Sequence, residues 1–425
     1  MKLMVMDDQH KIKWTLYVAL TSLFLFITVS EVRHFTSLRT IFISETHLPL
    51  QKYVIVFDGG STGTRIHVFS FATSLSGHLT LKSEYFEEVK PGLSGYVNNP
   101  HEAANSVIQL LEKAKTLVPL DKWSETPVAL KATAGLRLLP DTVSNSLLEE
   151  VYKAFDNSPF HSSDDCVTIL SGEDEGLYAW YTLNFLLGRL NDANHSVASL
   201  DLGGGSTQIT FSPATLDTLI FSPKDYILLP QVQNRTTTIY THSYLGLGLM
   251  SARHSILQFS TDRSVPLENN GTVTFSSSCI HPHDKTVWKH DLKEYIVMGR
   301  KSGKYGFKNC YYKAVEFLGN AVHRPEELMK REIYVLSYYF DRAFDLGIIG
   351  KEGGIRTVDE FVNSCKHSCS SKQPKEIFLC LDCTYITALM KHGLGLDGKK
   401  ELRFAKQIDG IETSWGLGAA FNMLR

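Results

Sequence analysis

The chain has 425 residues, enough for two substantial domains. With 43% hydrophobic and 21% charged residues it has the composition of a globular protein, and no low-complexity tract interrupts it. A net charge of −2 excludes the strongly basic surface by which nucleic acids are bound, so no nucleic-acid partner is expected.

The first element is an uncharged apolar run, Trp14 to Ser30, with Lys2, Lys11 and Lys13 before it and Glu31, Arg33 and His34 after it. It is at the short end of what crosses a bilayer, where about 20 residues are usual. Two readings compete. One is a signal anchor with residues 1–13 as a cytosolic tail. The other is a signal peptide cut near Thr28 and Ser30. The run is longer than a usual signal core, which favours the anchor, with residues 31–50 as a stem. Either reading puts the body in an oxidising compartment, and sequons at Asn194, Asn234 and Asn270 agree with it.

Residues 52–71 read as a β-hairpin with a glycine tip: Val54-Ile-Val-Phe-Asp58-Gly-Gly-Ser-Thr62-Gly-Thr-Arg65-Ile-His-Val-Phe69. Residues 101–118 have helical spacing and stop at Pro119. Pro127 to Thr133 reads as a strand, Asp141 to Phe155 as a helix, Val167 to Leu170 as a strand and Gly176 to Gly188 as an apolar helix. A second hairpin begins near Val197: Ser199-Leu-Asp201-Leu-Gly-Gly-Gly205-Ser-Thr-Gln208-Ile-Thr-Phe211. Farther on, Tyr334 to Phe344 is aromatic-rich and reads as helical, Ile377 opens an element ending near Met390, and Glu412 to Phe421 reads as a closing helix. Strands alternate with helices twice over, which indicates an α/β protein of two like halves with a cleft between them.

The two hairpin tips resemble each other and carry the chemistry. Neither has the Lys of a P-loop, and both return to period-two alternation rather than to a helix. Glycine lets backbone N–H groups close on an anion, and the Ser and Thr hydroxyls add donors. The Asp ending each first strand repels phosphate but suits the water shell of a hard divalent cation. The plain alternative, two tight turns, is weakened because the pattern occurs twice.

All seven cysteines lie beyond the apolar run. Cys365, Cys369, Cys380 and Cys383 have a zinc-like spacing, but in a lumenal chain disulfides rank above zinc. Cys166 is left as a buried free thiol.

Five segments together resemble the nucleoside triphosphate diphosphohydrolase (apyrase) family. They are Asp58 to Arg65, Ala132 to Pro140, Leu170 to Trp180, Asp201 to Gln208 and Trp415 to Ala419. The resemblance covers about residues 52 to 425. Within the family the chain is similar to the short members with one N-terminal anchor or signal, mostly nucleoside diphosphatases of the ER and Golgi, some secreted. Gly59 and Gly205 stand where Ala is usual, and Cys369 and Cys383 are additions.

The resemblance implies two actin-like (ribonuclease H-like) domains, residues 51–170 plus 398–425 and residues 171–397. It implies Ca²⁺- or Mg²⁺-dependent hydrolysis of UDP, GDP and similar diphosphates by a monomer. Such activity would remove the diphosphates that glycosyltransferases release. Glu175 is then the base, with Ser206 and Gln208 holding the attacking water. Asp58, Asp201 and Thr133 serve the hydrated cation. Ser61, Thr62, Gly63, Arg65, Gly204 and Gly205 cradle phosphate. Tyr338 and Tyr339 are candidates to stack on the nucleobase, although an aromatic helix stripe is more often core. Arg137 is assigned to a structural ion pair. Cys279–Cys310 and Cys365–Cys380 are the implied disulfides, leaving Cys369 and Cys383 for a third. A broad extracellular apyrase acting on ATP and ADP and a non-catalytic nucleotide-binding lumenal protein are the alternatives. The actin-like kinases and chaperone ATPases fit the apolar N-terminus and sequons less well.

Overall fold

The computed structural model describes Tyr17, Thr21 and residues 50–425, except 75–78, 191, 233–234, 261–271, 292, 302–304, 372–375 and 425. The cytosolic tail, the apolar run apart from Tyr17 and Thr21, the stem apart from Leu50, and the sequons at Asn234 and Asn270 lie outside the described residues. Among the described residues no helix is long and apolar enough to cross a membrane. The chain divides into two compact units. One comprises Met1–Gln51 and Ala72–Thr80; the other, Lys52–Phe71 and Leu81–Arg425, holds every element of the site.

Five strands make the first sheet: β1 (Leu50–Gly59), β2 (Thr64–Thr73), β3 (Leu79–Val89), β4 (Val128–Ala132) and β5 (Val167–Ile169), in the order β3-β2-β1-β4-β5. The next strands are β6 (Ala198–Leu202), β7 (Ser206–Phe211), β8 (Ile227–Leu228) and a small ribbon of β9 (Gln231–Val232) and β10 (Arg235–Thr236). They are followed by β11 (Ile239–Leu245) and a three-stranded sheet of β12 (Val273–Ser277), β13 (Lys285–His290) and β14 (Lys293–Gly299). β15 (Ile333–Ser337), β16 (Gly354–Thr357) and β17 (Glu401–Phe404) complete the second large sheet, ordered β16-β17-β15-β6-β7-β11-β8.

The shared core order is direct. β3-β2-β1-β4-β5 in one sheet matches β11-β7-β6-β15-β17 in the other. In both, the strand ending in the key Asp has its hairpin partner on one side and a parallel strand on the other (β4 beside β1, β15 beside β6). The α/β class and the internal repeat expected from the hairpins are both present. β17 pairs parallel with β15, so residues 401–404, expected with the first domain, lie in the second large sheet.

Helices cover the sheets where the sequence supplies caps and apolar stripes. Asn99 accepts from the Glu102 N–H and Pro100 occupies the first turn of the helix Pro100–Leu117, as its fixed φ allows. That helix packs beside the helix Asp141–Asp156, whose Phe155 meets Phe57 of β1. The helix Gly416–Met423 packs on the helix Gly172–Leu186, with Phe421 against Phe71, Tyr181 and Phe185. The second core is built around the helices Leu249–Ser260, Phe307–Leu318 and Leu379–Ala388.

Three expectations change. The segment read as a helix over 334–344 is β15 followed by the helix Tyr338–Asp345, with Ser337 at φ 55° making the corner. Residues 412–415 are not helical, because the closing helix starts at Gly416. The apolar helix starts at Gly172 rather than Gly176, capped by Ser171, whose Oγ accepts from the Asp174 N–H at 3.0 Å.

Disulfides join Cys279–Cys310, as implied, and then Cys365–Cys383 and Cys369–Cys380. This corrects the implied Cys365–Cys380 pairing. The helices Val358–Ser370 and Leu379–Ala388 pack against each other, and the pair closer in sequence, Cys369–Cys380, lies inside the pair Cys365–Cys383, so the bridges nest rather than cross. Cys166 is free and buried, as expected.

Candidate active site

The hairpin register sets the site. Asp201 stands directly across from Gln208 on β6 and β7, and Gln208 stands across from Ser243 on β11. Side chains on opposed residues share a face, so these three form a polar row. Gln208 Nε2 donates to Ser243 Oγ at 2.9 Å, to Ser206 Oγ at 2.9 Å and to Glu175 Oε2 at 3.1 Å. The row thus fixes the carboxylate expected to act as base.

Glu175 reaches the row because its helix runs very close to the sheet. A Cβ on Gly176 would lie 2.6 Å from Thr210 Oγ1 and 2.8 Å from Thr241 Oγ1, a hydroxyl pair bonded across β7 and β11 at 2.7 Å. Only glycine fits there. Arg137, after β4, donates to Glu175 Oε2. Burial pushes the Glu175 carboxyl up to about 8; the attraction of Arg137 opposes this, and Asp201 and Asp58 reinforce it. The ion pair expected of Arg137 is present, and its partner is the candidate base itself.

Asp58 and Asp201 are each 7% exposed and line the same cavity of about 520 Å³ as Glu175. Oδ1 of each is buried without a hydrogen-bond partner. Burial raises the Asp201 carboxyl; a Ser337 hydrogen bond opposes the rise and Asp58 adds to it. Two buried acceptors without donors, on two like hairpins, fit the hydrated Ca²⁺ or Mg²⁺ that the sequence implies. Thr133 lines the cavity beside them, and its N–H donates to Gly59 O at 3.2 Å.

Ser61, Thr62, Gly204 and Gly205 line the cavity, and Ser206 adjoins them. The tips almost touch: a Cβ on Gly204 would lie 2.5 Å from Ser61 Oγ. The N–H groups of Leu249, Met250 and Ser251 donate to the carbonyls of Gly203 and Gly204, anchoring the second loop on the start of a helix. Gly63 is not among the lining residues; its carbonyl accepts from the Gly60 N–H and closes the first turn. Arg65 lines the cavity but is held by Asp58 at 2.8 Å and Glu88 at 2.7 Å. Burial works against its charge, yet both carboxylates outweigh that and raise its pKa. It braces the loop in this state.

The two tyrosines part company. Tyr338 lines the cavity, whereas Tyr339 is 1% exposed in the second core. Sequence reasoning missed Arg253 and Phe378, which line the cavity near Tyr338; the Arg253 guanidinium lies 4.2 Å from the Phe378 ring and is bonded to Asp382. No local pattern marks them, because residues over a hundred positions apart meet only in the fold. Asn194 lies in an exposed turn, open to modification.

Residues 46–425 match the GDA1/CD39 (nucleoside phosphatase) family. Mouse ectonucleoside triphosphate diphosphohydrolase 6 is 45% identical over 378 residues, covering 88% of this chain and 82% of that one. Human nucleoside diphosphate phosphatase ENTPD5 is 42% identical over 381 residues, covering 88% and 87%. Among solved structures, a nucleoside triphosphate hydrolase from Neospora caninum superposes with a TM-score of 0.65 at 15% identity, covering 93% of this chain and 97% of that one, so the fold is shared. The chain belongs to the GDA1/CD39 nucleoside phosphatase family.

Proposed function

We propose that the chain hydrolyses nucleoside diphosphates such as UDP and GDP to the monophosphate and phosphate, using Ca²⁺ or Mg²⁺, with Glu175 as general base. The observation that carries this reading is the bonded set Glu175–Gln208–Ser206 beside a cavity that also holds two unpartnered aspartate oxygens. The relatives' names, which include a nucleoside diphosphate phosphatase, support the substrate class.

Terminal-anhydride hydrolysis needs an in-line water, a group to take its proton, and positive charge on the phosphoryl oxygens. A divalent cation held by Asp58 and Asp201, with Thr133 near, supplies that charge when bound. Glu175 takes the water's proton. Ser206 Oγ, on the cavity wall, donates to or accepts from the water, and the unpartnered Gln208 Oε1, just behind the wall, is an acceptor for it. The hydroxyls of Ser61 and Thr62 and the backbone at Gly204 and Gly205 cradle the phosphates, and Tyr338 flanks the nucleobase.

The two-sheet frame supports two actin-like domains that meet at this cavity. Three disulfides, an exposed sequon at Asn194 and the apolar N-terminal run support a place in the lumen of the ER or Golgi, or outside the cell. Phosphate release from UDP, GDP, IDP, ADP, UTP and ATP, with Ca²⁺, Mg²⁺ or EDTA, tests the reading. Metal-dependent turnover of UDP or GDP far above ATP is expected. Equal use of ATP would point to a broad apyrase, and no turnover would leave a binding protein.

A further inference from the structure

Beside the phosphate loops the fold holds a second group of metal-type donors that the hydrolytic reading does not use. His67 is on β2, Glu84 on β3, and Glu412 follows β17 in a short ribbon. A donor atom of each lies within 4.8 Å of donors of the other two. His67 Nδ1 and Glu84 Oε1 are 2.7 Å apart, and both side chains are all but buried. Glu84 Oε2 accepts from the Glu412 N–H at 2.7 Å, which ties the three segments together.

Two atoms of this group are left over. His67 Nε2 and Glu412 Oε2 are buried and have no hydrogen-bond partner. An unpaired buried polar atom is costly, and two in one cluster, on oppositely suited groups, call for a ligand. Aromatic rings seal part of the surroundings: Phe69 stacks on the imidazole and Phe86 tilts against it. Glu412 also lines the main cavity with Thr413 and Ser414, so an ion has a route in from solvent.

We propose that His67, Glu84 and Glu412 form a second cation site, for a divalent transition ion of the Zn²⁺ class, separate from the Asp58/Asp201 position. One imidazole and two carboxylates are the N/O donor set such ions take, three protein ligands leaving one position for water. Donors on a tetrahedral ion at usual bond lengths lie about 3.4 Å apart, so a small inward movement completes the site. The imidazole separates the two sites chemically. Asp58 and Asp201 offer only oxygen, which suits Ca²⁺ and Mg²⁺, while nitrogen favours the transition ion.

The test is metal binding by the full-length protein, read by equilibrium dialysis against Zn²⁺ with excess Mg²⁺ present. Wild type and the Asp58→Asn/Asp201→Asn double variant should each retain one Zn²⁺ per chain. His67→Gln and Glu412→Gln should each bind it at least about 10-fold more weakly, since loss even of a residue that only orients a ligand costs about 10–100-fold. X-ray absorption at the zinc edge of the wild-type protein should show nitrogen and oxygen neighbours and no sulfur, a reading that stands even if a variant fails to fold. Failure of wild type to retain Zn²⁺, sulfur among the metal's neighbours, or loss of Zn²⁺ in the double aspartate variant but not in His67→Gln would overturn the proposal. None of these readouts depends on the protein being a diphosphatase.

Discussion

Arg137 donates to the same Glu175 oxygen that Gln208 Nε2 reaches at 3.1 Å, so the carboxylate is held from the first sheet and the second at once. The two partners do different things. Gln208 fixes position, while Arg137 opposes the rise that burial causes, the balance leaving the carboxyl at about 8. Removing the guanidinium removes an attraction that favours the ionised form, so Glu175 would ionise at higher pH. Arg137→Gln should move the acidic limb of the kcat/KM profile to higher pH and depress turnover at neutral pH. A profile that falls in height without moving along the pH axis would assign Arg137 to something other than tuning Glu175.

Glu175→Gln keeps the shape and the Gln208 contact but cannot take a proton. Turnover should fall by about 10²–10⁴-fold, the usual worth of a general base, with the melting temperature near that of wild type. Near-normal turnover would remove Glu175 from the mechanism.

Cation binding should release protons. Below about pH 8 the cation-free Glu175 is mostly protonated, because burial, and then Asp201 and Asp58, disfavour its charge. A divalent ion beside those aspartates cancels their repulsion and lowers the pKa. Calorimetric titration with Mg²⁺ or Ca²⁺ at pH 7, in buffers of different ionisation enthalpy, should therefore show net proton release in wild type and less in Glu175→Gln. Equal proton counts in the two proteins would contradict this coupling.

Gly176 is a stability test as well as a functional one. A methyl there meets Thr210 Oγ1 and Thr241 Oγ1 well inside contact distance, so the helix must lift from the sheet. Gly176→Ala should cost about 1–3 kcal/mol in a denaturant melt and lower turnover, because Glu175 is the preceding residue. A variant as stable and active as wild type would mean the helix start is free to move.

The nested cystines predict their own peptide map. Digestion without reduction should yield Cys365 linked to Cys383 and Cys369 linked to Cys380. Replacing Cys369 and Cys380 together by Ser should cost about 2–4 kcal/mol, the usual range for a bridge. Recovery of Cys365 linked to Cys380 would restore the pairing implied by sequence.

The two glycine loops and the arrival of Glu175 beside them were legible in the sequence because their patterns are local. Asp58, Asp201, Ser206 and Gln208 sit in short motifs whose geometry a hairpin fixes, and the repeated motif announced the repeated sheet. Chain segments whose fate is decided elsewhere were not legible. Tyr334 to Ser337 continues into an aromatic run with the apolar content of a helix, but Ile333 to Ser337 is claimed as a strand by Ala198 to Leu202 alongside it. Tyr338 and Tyr339 are adjacent in sequence and could not be told apart until the helix turned one toward the cavity and the other into the core. The cystine pairing depended on two helices running back on each other, which spacing alone does not encode. Arg253 and Phe378 had no mark at all.

The helix Gly172–Leu186 leaves the first sheet at β5 yet rests on β6, β7 and β11 of the second. Glu175, Ser206, Gln208 and Ser243 are therefore one rigid piece, and Asp58, Ser61 and Thr133 are another. A hinge between the sheets would keep Glu175, Gln208 and Ser206 together but would part Glu175 from Arg137 and separate the two aspartates and the two glycine tips. On the proposed mechanism, opening would free cation and phosphate and, by withdrawing Arg137, favour protonated Glu175, so that closure itself would restore the proton acceptor.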